Sequence, residues 1–447
     1  MSKDTDFSRR WRGFSLHYLV VLLSATVLVA YLDRGIIAVL VPHLKGQFGL
    51  DDVRISILQG ITFSFFFAVA TLGCGPLVDR WNRRNIIIAG IIIWSAMTIF
   101  CGLASNFWQL ALGRAGVGIG EACLLPAAYS MIASSFAPQA RGRAMSIIAA
   151  ATAVGGGSAA VVGGALLTLW QGSDMVRLPL VGEIAPWRAV FVVAGAPGFV
   201  IAILLLMVKE PGREGPVAER NDSGSLAAFF RSHWILISAF YLAFSLILFF
   251  SYAVSLWSPT VLIRSFGLSP GYAGLLSGSL QLSGSVSGCI VSGFGTDAMI
   301  KRNLRFGRLR LYMIGMIPAL AGSVLLGMPV LQLYLLGLGL AIFASGLLAT
   351  TSYPTLYDVI PAEMRGRSLA VYLFLANIIG LGGGALAVAF ITKSAFQDEA
   401  MLQYSVVVAA LGSLLVSLIL ILSVRERYDA ARHMSRDVGR DAASAAA

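Results

Sequence analysis

The amino-acid sequence predicts an all-α membrane protein of twelve transmembrane helices, arranged as two six-helix halves around a central cavity. Three observations predict it: an apolar, charge-poor composition, uncharged blocks long enough to cross a bilayer, and an internal repeat that relates the halves.

Hydrophobic residues make up 57% of the chain and charged residues 12%, with a mean hydropathy of +0.81. Soluble domains hold about 45–50% apolar and about 25% charged residues, so too few polar side chains are present here to coat a water-soluble globule. The apolar blocks run to about twenty residues or more, the length a helix needs to cross roughly 30 Å of hydrocarbon. Strands of a β-barrel would be half as long and would alternate. Cys74, Cys101, Cys123 and Cys289 lie in apolar blocks at unrelated spacings, which suggests neither a disulfide framework nor a zinc site. The first block follows Arg9, Arg10 and Arg12 as a secretory signal would, but it lacks a clear small-x-small cleavage site and continues to Val41, so it reads as a retained helix.

In order, the spans fall near 15–41, 55–78, 86–104, 107–136, 144–170 and 189–208, then 234–263, 272–295, 311–328, 331–359, 369–392 and 402–424. The chain therefore divides into a first half over 1–208, a polar connector over 209–232 with Pro211, Gly212, Gly215 and Pro216, a second half over 233–424 and a tail over 425–447. Of the 33 Lys and Arg residues, 25 fall on the side that holds both termini, six on the other side, and two within spans. Short cytoplasmic loops collect such cations, so both termini are expected in the cytoplasm of a cell whose inner (plasma) membrane the chain crosses many times. The net charge of +11 is accounted for by the same bias, and no nucleic-acid partner is needed. The tail arginines, Arg425, Arg427, Arg432, Arg436 and Arg440, form a solvated end that can also touch anionic lipid.

The halves repeat one another in order. Gly75 and Asp79 recur as Gly293 and Asp297, Pro126 and Tyr129 as Pro354 and Tyr357, Arg141-Gly142-Arg143 as Arg365-Gly366-Arg367, and Gly155–Gly157 as Gly382–Gly384. The offsets stay between 218 and 228 positions, which a chance match of glycines does not produce. Duplication of this kind is how many membrane carriers are built.

On these motifs the chain resembles the major facilitator superfamily. Its loop signature between helices 2 and 3, G-x-L-x-D-R-x-G-R-R, is matched by Gly75 through Arg84, with Asn82 in place of the second glycine. The helix 4 signature is present from Arg114 to Gly120, with Val117 where glutamine is usual. The helix 5 antiporter signature is kept only in part over Gly155 to Gly164, where Ala159 and Ala160 replace Gly-Pro, and this weakens an inference of antiport. A narrower resemblance, to the spinster branch of lysolipid and sphingolipid carriers, is carried by Tyr31-Leu32-Asp33-Arg34, by Gly118 to Ala122, and by Trp257-Ser258-Pro259. The resemblance implies the major facilitator fold, alternating access, and helices 1 and 4 facing the cavity.

A charge near the centre of a membrane helix costs about 2.5–3.5 kcal/mol on insertion scales, so intramembrane ions are functional candidates. Four stand out, all in the first half: Asp33, Arg34, Arg114 and Glu121. At 1.5 Å per residue, Asp33, Arg34 and Arg114 share a depth roughly 8 to 10 Å from the midplane, with Glu121 near the centre. Arg114 and Glu121 are nearly two turns apart and share a face. Asp33 is expected to pair with Arg114 in one state, and proton uptake at Asp33 or Glu121 to release the arginine for an anionic head group, since a guanidinium suits phosphate. The alternative is a permanent salt bridge between helices 1 and 4.

The second half has no matching charge, and Ile342 stands opposite Arg114 in the repeat. Its aromatic residues Phe244, Tyr252, Trp257 and Tyr353 are candidate contacts for an apolar tail, with packing as the competing role. Asp79, Arg80, Arg83 and Arg84, together with Arg141, Asp297, Asp358 and Arg365, are candidates for a cytoplasmic gate, because the resemblance implies a latch at this loop; for the arginines, topology alone is an equal explanation. The glycine clusters read as close-packing surfaces.

The expected function is proton-coupled secondary-active transport of an amphipathic anionic lipid, such as a lysophospholipid or a phosphorylated sphingoid base. A carrier of small organic anions or drugs and a non-transporting membrane sensor are the alternatives. No nucleophile–base set, metal set or phosphate loop is present, and His17, His43, His233 and His433 are scattered, so no enzyme and no cofactor beyond the coupling proton is expected. The expected partners are the lipid substrate and the surrounding membrane lipids, with the chain a monomer.

Overall fold

The computed structural model describes residues 2–179, 181–210, 212, 226–302, 305–360 and 364–445. The side chains of the first fifteen residues, of the last sixteen and of a few others, Arg365 among them, lie outside the description, as does most of the connector. Among the described residues eleven helices are long and apolar enough to cross a membrane. These are α1 (Leu16–Phe48), α2 (Asp52–Arg80), α3 (Arg83–Leu103), α4 (Phe107–Ser135), α5 (Ala140–Leu169), α6 (Pro186–Leu206), α7 (Phe230–Phe266), α9 (Gly307–Leu325), α10 (Leu331–Tyr357), α11 (Ser368–Phe396) and α12 (Glu399–Ala431). The twelfth, α8 (Pro270–Lys301), spans 32 residues and is diluted by Gly and Ser. The chain is thus a multi-pass, nearly all-helical membrane protein.

Helix ends follow local chemistry. The Asn82 side chain accepts from the backbone N–H of Asn85 and opens α3, and Asn106 does the same for α4 through Gln109. Pro186 occupies the first turn of α6, where a missing N–H costs nothing. Gly49, at φ 60°, closes α1 with its N–H on the Lys45 carbonyl. Most spans extend a turn or two past the expected limits, because hydropathy marks the bilayer core while helices continue into the interface.

Contacts divide the chain into two compact units. The first comprises Met1–Asp51, Thr62–Arg220 and Ser269–Ser279; the second comprises Asp52–Ile61, Asn221–Leu268 and Leu280–Ala447. The early turns of α2 therefore belong with the second unit and those of α8 with the first, an exchange that the repeat alone does not disclose.

In the first unit α1 packs on α5, α3 on α6, and α4 on both α2 and α3. Gly120 allows α4 to touch α3, since a Cβ there would stand 2.8 Å from the Trp94 nitrogen. Two features depart from the sequence reading. A hairpin of β1 (Val176–Leu178) and β2 (Gly182–Ile184), with Arg177 opposite Glu183, fills what reads as a plain loop, because three-residue strands leave no periodic signal. Cys74 and Cys123 form a disulfide joining α2 to α4, where no disulfide was expected; their 49-residue separation is set by helix packing and not by a recognisable spacing.

The second unit is built around α7, which packs against α12, α10 and α11. Phe240, Phe244, Tyr312, Tyr372 and Tyr428 form a fully buried aromatic core there. The first turns of α2 lie against α11, each helix having a π-helical turn at the meeting point, Ile57–Ile61 and Asn377–Gly382. Asp52 at the start of α2 receives both terminal nitrogens of Arg264 at 2.6 and 2.7 Å.

Candidate transport site

Both helices that carry the intramembrane charges are interrupted beside them. The α1 helix breaks at Ile36, two residues after Arg34, and α4 breaks at Ala122 and Cys123, directly after Glu121. Asp33, Arg114 and Glu121 are 1–2% exposed. Two carboxylates and two guanidiniums are thereby enclosed in one charge-balanced cluster of the first unit.

The hydrogen bonds differ from the expected pairing. The Arg34 Nε donates to Glu121 Oε2 at 2.5 Å, and the Arg114 guanidinium donates to the main-chain carbonyl of Asp33 at 3.4 Å. The Asp33 carboxylate accepts at Oδ2 from the Thr98 hydroxyl at 3.1 Å. One oxygen of each acid, Asp33 Oδ1 and Glu121 Oε1, is buried without a hydrogen-bond partner. The long Arg34 side chain bridges the difference in depth to Glu121, which counting residues along the helix axis could not anticipate.

Arg34 is also surrounded by rings. Its guanidinium carbon lies 4.4 Å from the centroid of Tyr31, 4.8 Å from Phe63 and 4.7 Å from Phe67, and Arg114 is 5.3 Å from Phe63. Phe63, Phe67 and Thr98 escaped sequence reasoning. Phe63 and Phe67 stand four residues apart on one face of α2, a spacing that could have flagged them, but that helix is rich in phenylalanine.

The candidate gate residues separate into two groups. Arg83 is 3% exposed and donates to Glu210 Oε1 at 2.7 Å, to the Ser130 carbonyl at 3.1 Å and to Ser134 Oγ at 2.6 Å. The same Glu210 carboxylate accepts from the backbone N–H groups of Arg83 and Arg84, sealing the N-terminus of α3. In the second unit Arg308, in the first turn of α9, is paired with Asp358, which also accepts from the Tyr428 hydroxyl at 2.7 Å. Each unit thus ties the start of its third helix to the end of its fourth, with Asp358 repeating the position of Ser130. Neither Glu210 nor Arg308 was singled out from sequence. In contrast, Asp79, Arg80 and Asp297 are exposed, and the Arg141 Nε donates to the Phe136 carbonyl. Arg365 lies outside the described side chains.

The aromatic candidates of the second unit also divide. Phe244 and Trp257 are fully buried, and Trp257 donates its indole N–H to the Ala385 carbonyl at 3.0 Å. Their rings pack between helices in this structure, the competing role named for them above. Tyr252 and Tyr353 are half-buried, with Tyr353 set edge-on to Tyr372.

A duplicated set of membrane helices with a charge-balanced cluster at paired helix breaks defines a carrier-type membrane protein. The chain belongs to the Major Facilitator Superfamily, whose family model matches residues 23–305. A relative from Mycolicibacterium smegmatis, an MFS-type efflux pump, is 27% identical over 385 residues, 85% of each chain. Human protein spinster homolog 1 is 26% identical over 401 residues, 84% of this chain and 72% of its own length. Among solved structures, a bacterial homolog of the human lysosomal transporter spinster, in an inward-facing and unoccupied conformation, superposes with a TM-score of 0.73 at 24% identity, over 94% of this chain and 97% of its own. The chain is therefore a major facilitator transporter that is similar to the spinster carriers, and family and fold are those of transporters.

Proposed function

We propose that this transporter moves an amphipathic anionic lipid, of the lysophospholipid or phosphorylated sphingoid type, by proton-coupled alternating access. The observation that carries the reading is the Arg34–Glu121 ion pair beside Arg114 and the half-satisfied Asp33 carboxylate. Protonation of Glu121 cancels its charge and releases Arg34. The freed guanidinium, with Arg114, then offers two forked donors to a phosphate head group. Asp33 holds Arg114 through its carbonyl and supplies a second carboxylate on which a proton can reside. In the first unit the rings around Arg34 contact the apolar part of the substrate, and Tyr252 and Tyr353 are the apolar contacts that the second unit offers.

The gate is formed by Asp79, Arg80, Arg83, Arg84, Arg141, Asp297, Asp358 and Arg365 on the cytoplasmic side, where both termini lie, and the membrane is the inner (plasma) membrane. The lysine and arginine bias of the loops supports that orientation. The protein works as a monomer with no cofactor besides the proton.

Uptake into proteoliposomes with and without a pH gradient tests the reading. Wild type is expected to concentrate a phosphate-headed, chain-bearing substrate only under the gradient, and Asp33→Asn and Glu121→Gln to lose that accumulation. Full gradient-driven accumulation by both variants would sink the coupling mechanism. The similarity to an efflux pump over 85% of the chain supports a second reading, export of small organic anions or drugs. Preference for short substrates over chain-bearing ones would favour it.

A further inference from the structure

The first unit contains a cavity of about 600 Å³ apart from the ionic cluster, lined by α2, α3 and α4. The α4 helix is its floor. There Gly90 and Gly120 bring α3 and α4 into backbone contact, since a Cβ on Gly90 would stand 2.5 Å from the Gly120 carbonyl oxygen. Gly73, on the α2 wall, faces open space, and a Cβ added there would meet nothing within 4 Å. The walls are apolar and partly exposed, with Leu77, Ile93 and Ile119 38–47% accessible.

Polar groups gather at one end only. Asn82 and Asn85 line the mouth at the α2–α3 turn, beside Trp81, which is 66% exposed. From Trp81 to Ala70, at the far end, the helix rises about 16 Å. Half of a hydrocarbon core of roughly 30 Å is about 15 Å, so the groove covers the depth of one leaflet, with its tryptophan at the interface. One exposed cation, Arg80, stands next to Trp81 in the chain, whereas the Arg84 guanidinium donates to the Asn85 side-chain oxygen at 3.1 Å and to the Val208 carbonyl at 3.0 Å, just past the end of α6.

We infer that this groove seats one bilayer phospholipid with an anionic head group, its acyl chain between α2 and α3 and its phosphate at the α2–α3 turn. An apolar slot one leaflet deep fits the chain, and the exposed Arg80 at head-group depth selects the charge. The seat is distinct from the path of a transported molecule. Its floor residues Gly120 and Cys123 nevertheless flank Glu121 at the α4 break, and the Cys74–Cys123 bond ties its wall to its floor. A lipid lodged there therefore braces the segment that presents Glu121.

Native mass spectrometry of the full chain, released from bilayers of equal phosphatidylglycerol and phosphatidylcholine, tests the inference. Wild type is expected to retain one phosphatidylglycerol. Gly73→Leu, which fills the groove from the α2 wall, is expected to retain about tenfold less, and Ile93→Trp serves as a second plug should the first fail to fold. Arg80→Gln is expected to keep a lipid but lose the preference for phosphatidylglycerol, and Ile317→Phe, on an exposed surface of the second unit, to behave as wild type. Equal retention of the two lipids by wild type, or undiminished retention by a folded plugged variant, would overturn it. None of these readouts depends on transport, so the outcome is independent of the proposed substrate.

Discussion

The Arg34 guanidinium binds the Glu121 carboxylate across two helices that both break within two residues of the pair. Secondary structure is thus interrupted where charge is buried. Main-chain groups near such interruptions can take part in ion binding, and the Asp33 carbonyl accepts from Arg114.

Removing one member of that pair leaves the other buried and uncompensated. Glu121→Ala is expected to destabilise the protein by about 3–5 kcal/mol, whereas the double variant Arg34→Met, Glu121→Leu should recover most of that loss. Thermal unfolding of the reconstituted protein checks the stability. Transport should stay absent in the double variant, and recovered transport would show that the pair is structural only.

Arg114→Lys keeps the charge but loses the planar fork. Under the proposed mechanism the KM for a phosphate-headed substrate rises roughly 10-fold or more, with a smaller change in kcat. Initial uptake rates over a range of substrate concentrations measure this. An unchanged KM would remove Arg114 from the binding site.

Arg83→Ala deletes bonds to Glu210, Ser130 and Ser134. The expected cost is about 2 kcal/mol, because hydrogen bonds to charged groups are worth about 1.5–3 kcal/mol each and solvent replaces part of the loss. Arg83→Lys should rescue little, since a single ammonium nitrogen cannot stand at both the Nε position that meets Glu210 and the terminal position that meets Ser130 and Ser134. Unfolding midpoints of the two variants decide this, and equal stability of Arg83→Lys and wild type would contradict it.

Thiol titration in denaturant probes the Cys74–Cys123 bond. Without reductant, two thiols per chain should react, those of Cys101 and Cys289, and with reductant all four. Four reactive thiols before reduction would show that the bond is absent from the purified protein.

Much of the architecture was legible because a bilayer writes it into hydropathy. The twelve spans, the repeat and the four intramembrane ions all follow from runs of apolar residues and from charges that do not belong among them. The pairing inside the cluster was not legible, because residue counting fixes the depth of a Cα and not the reach of an arginine. Glu210 was missed for another reason: next to a polar connector an acid looks solvated, and only the fold brings it to the first turn of α3. The packing of Phe244 and Trp257 was not legible, because a large ring in a membrane helix looks the same in sequence whether it meets a ligand or a neighbouring helix. The exchange of the first turns of α2 and α8 between units is invisible to any single-helix reading.

Glu210 also bears on how tension along the chain is carried. Because its carboxylate is fastened to the amide ends and side chain of the next-but-two helix back, the peptide leaving α6 is moored before it travels further. A pull from beyond that point is resisted by α3 as well as by α6, so the six helices of the first unit would be tugged as one piece and not unravelled from their last turn.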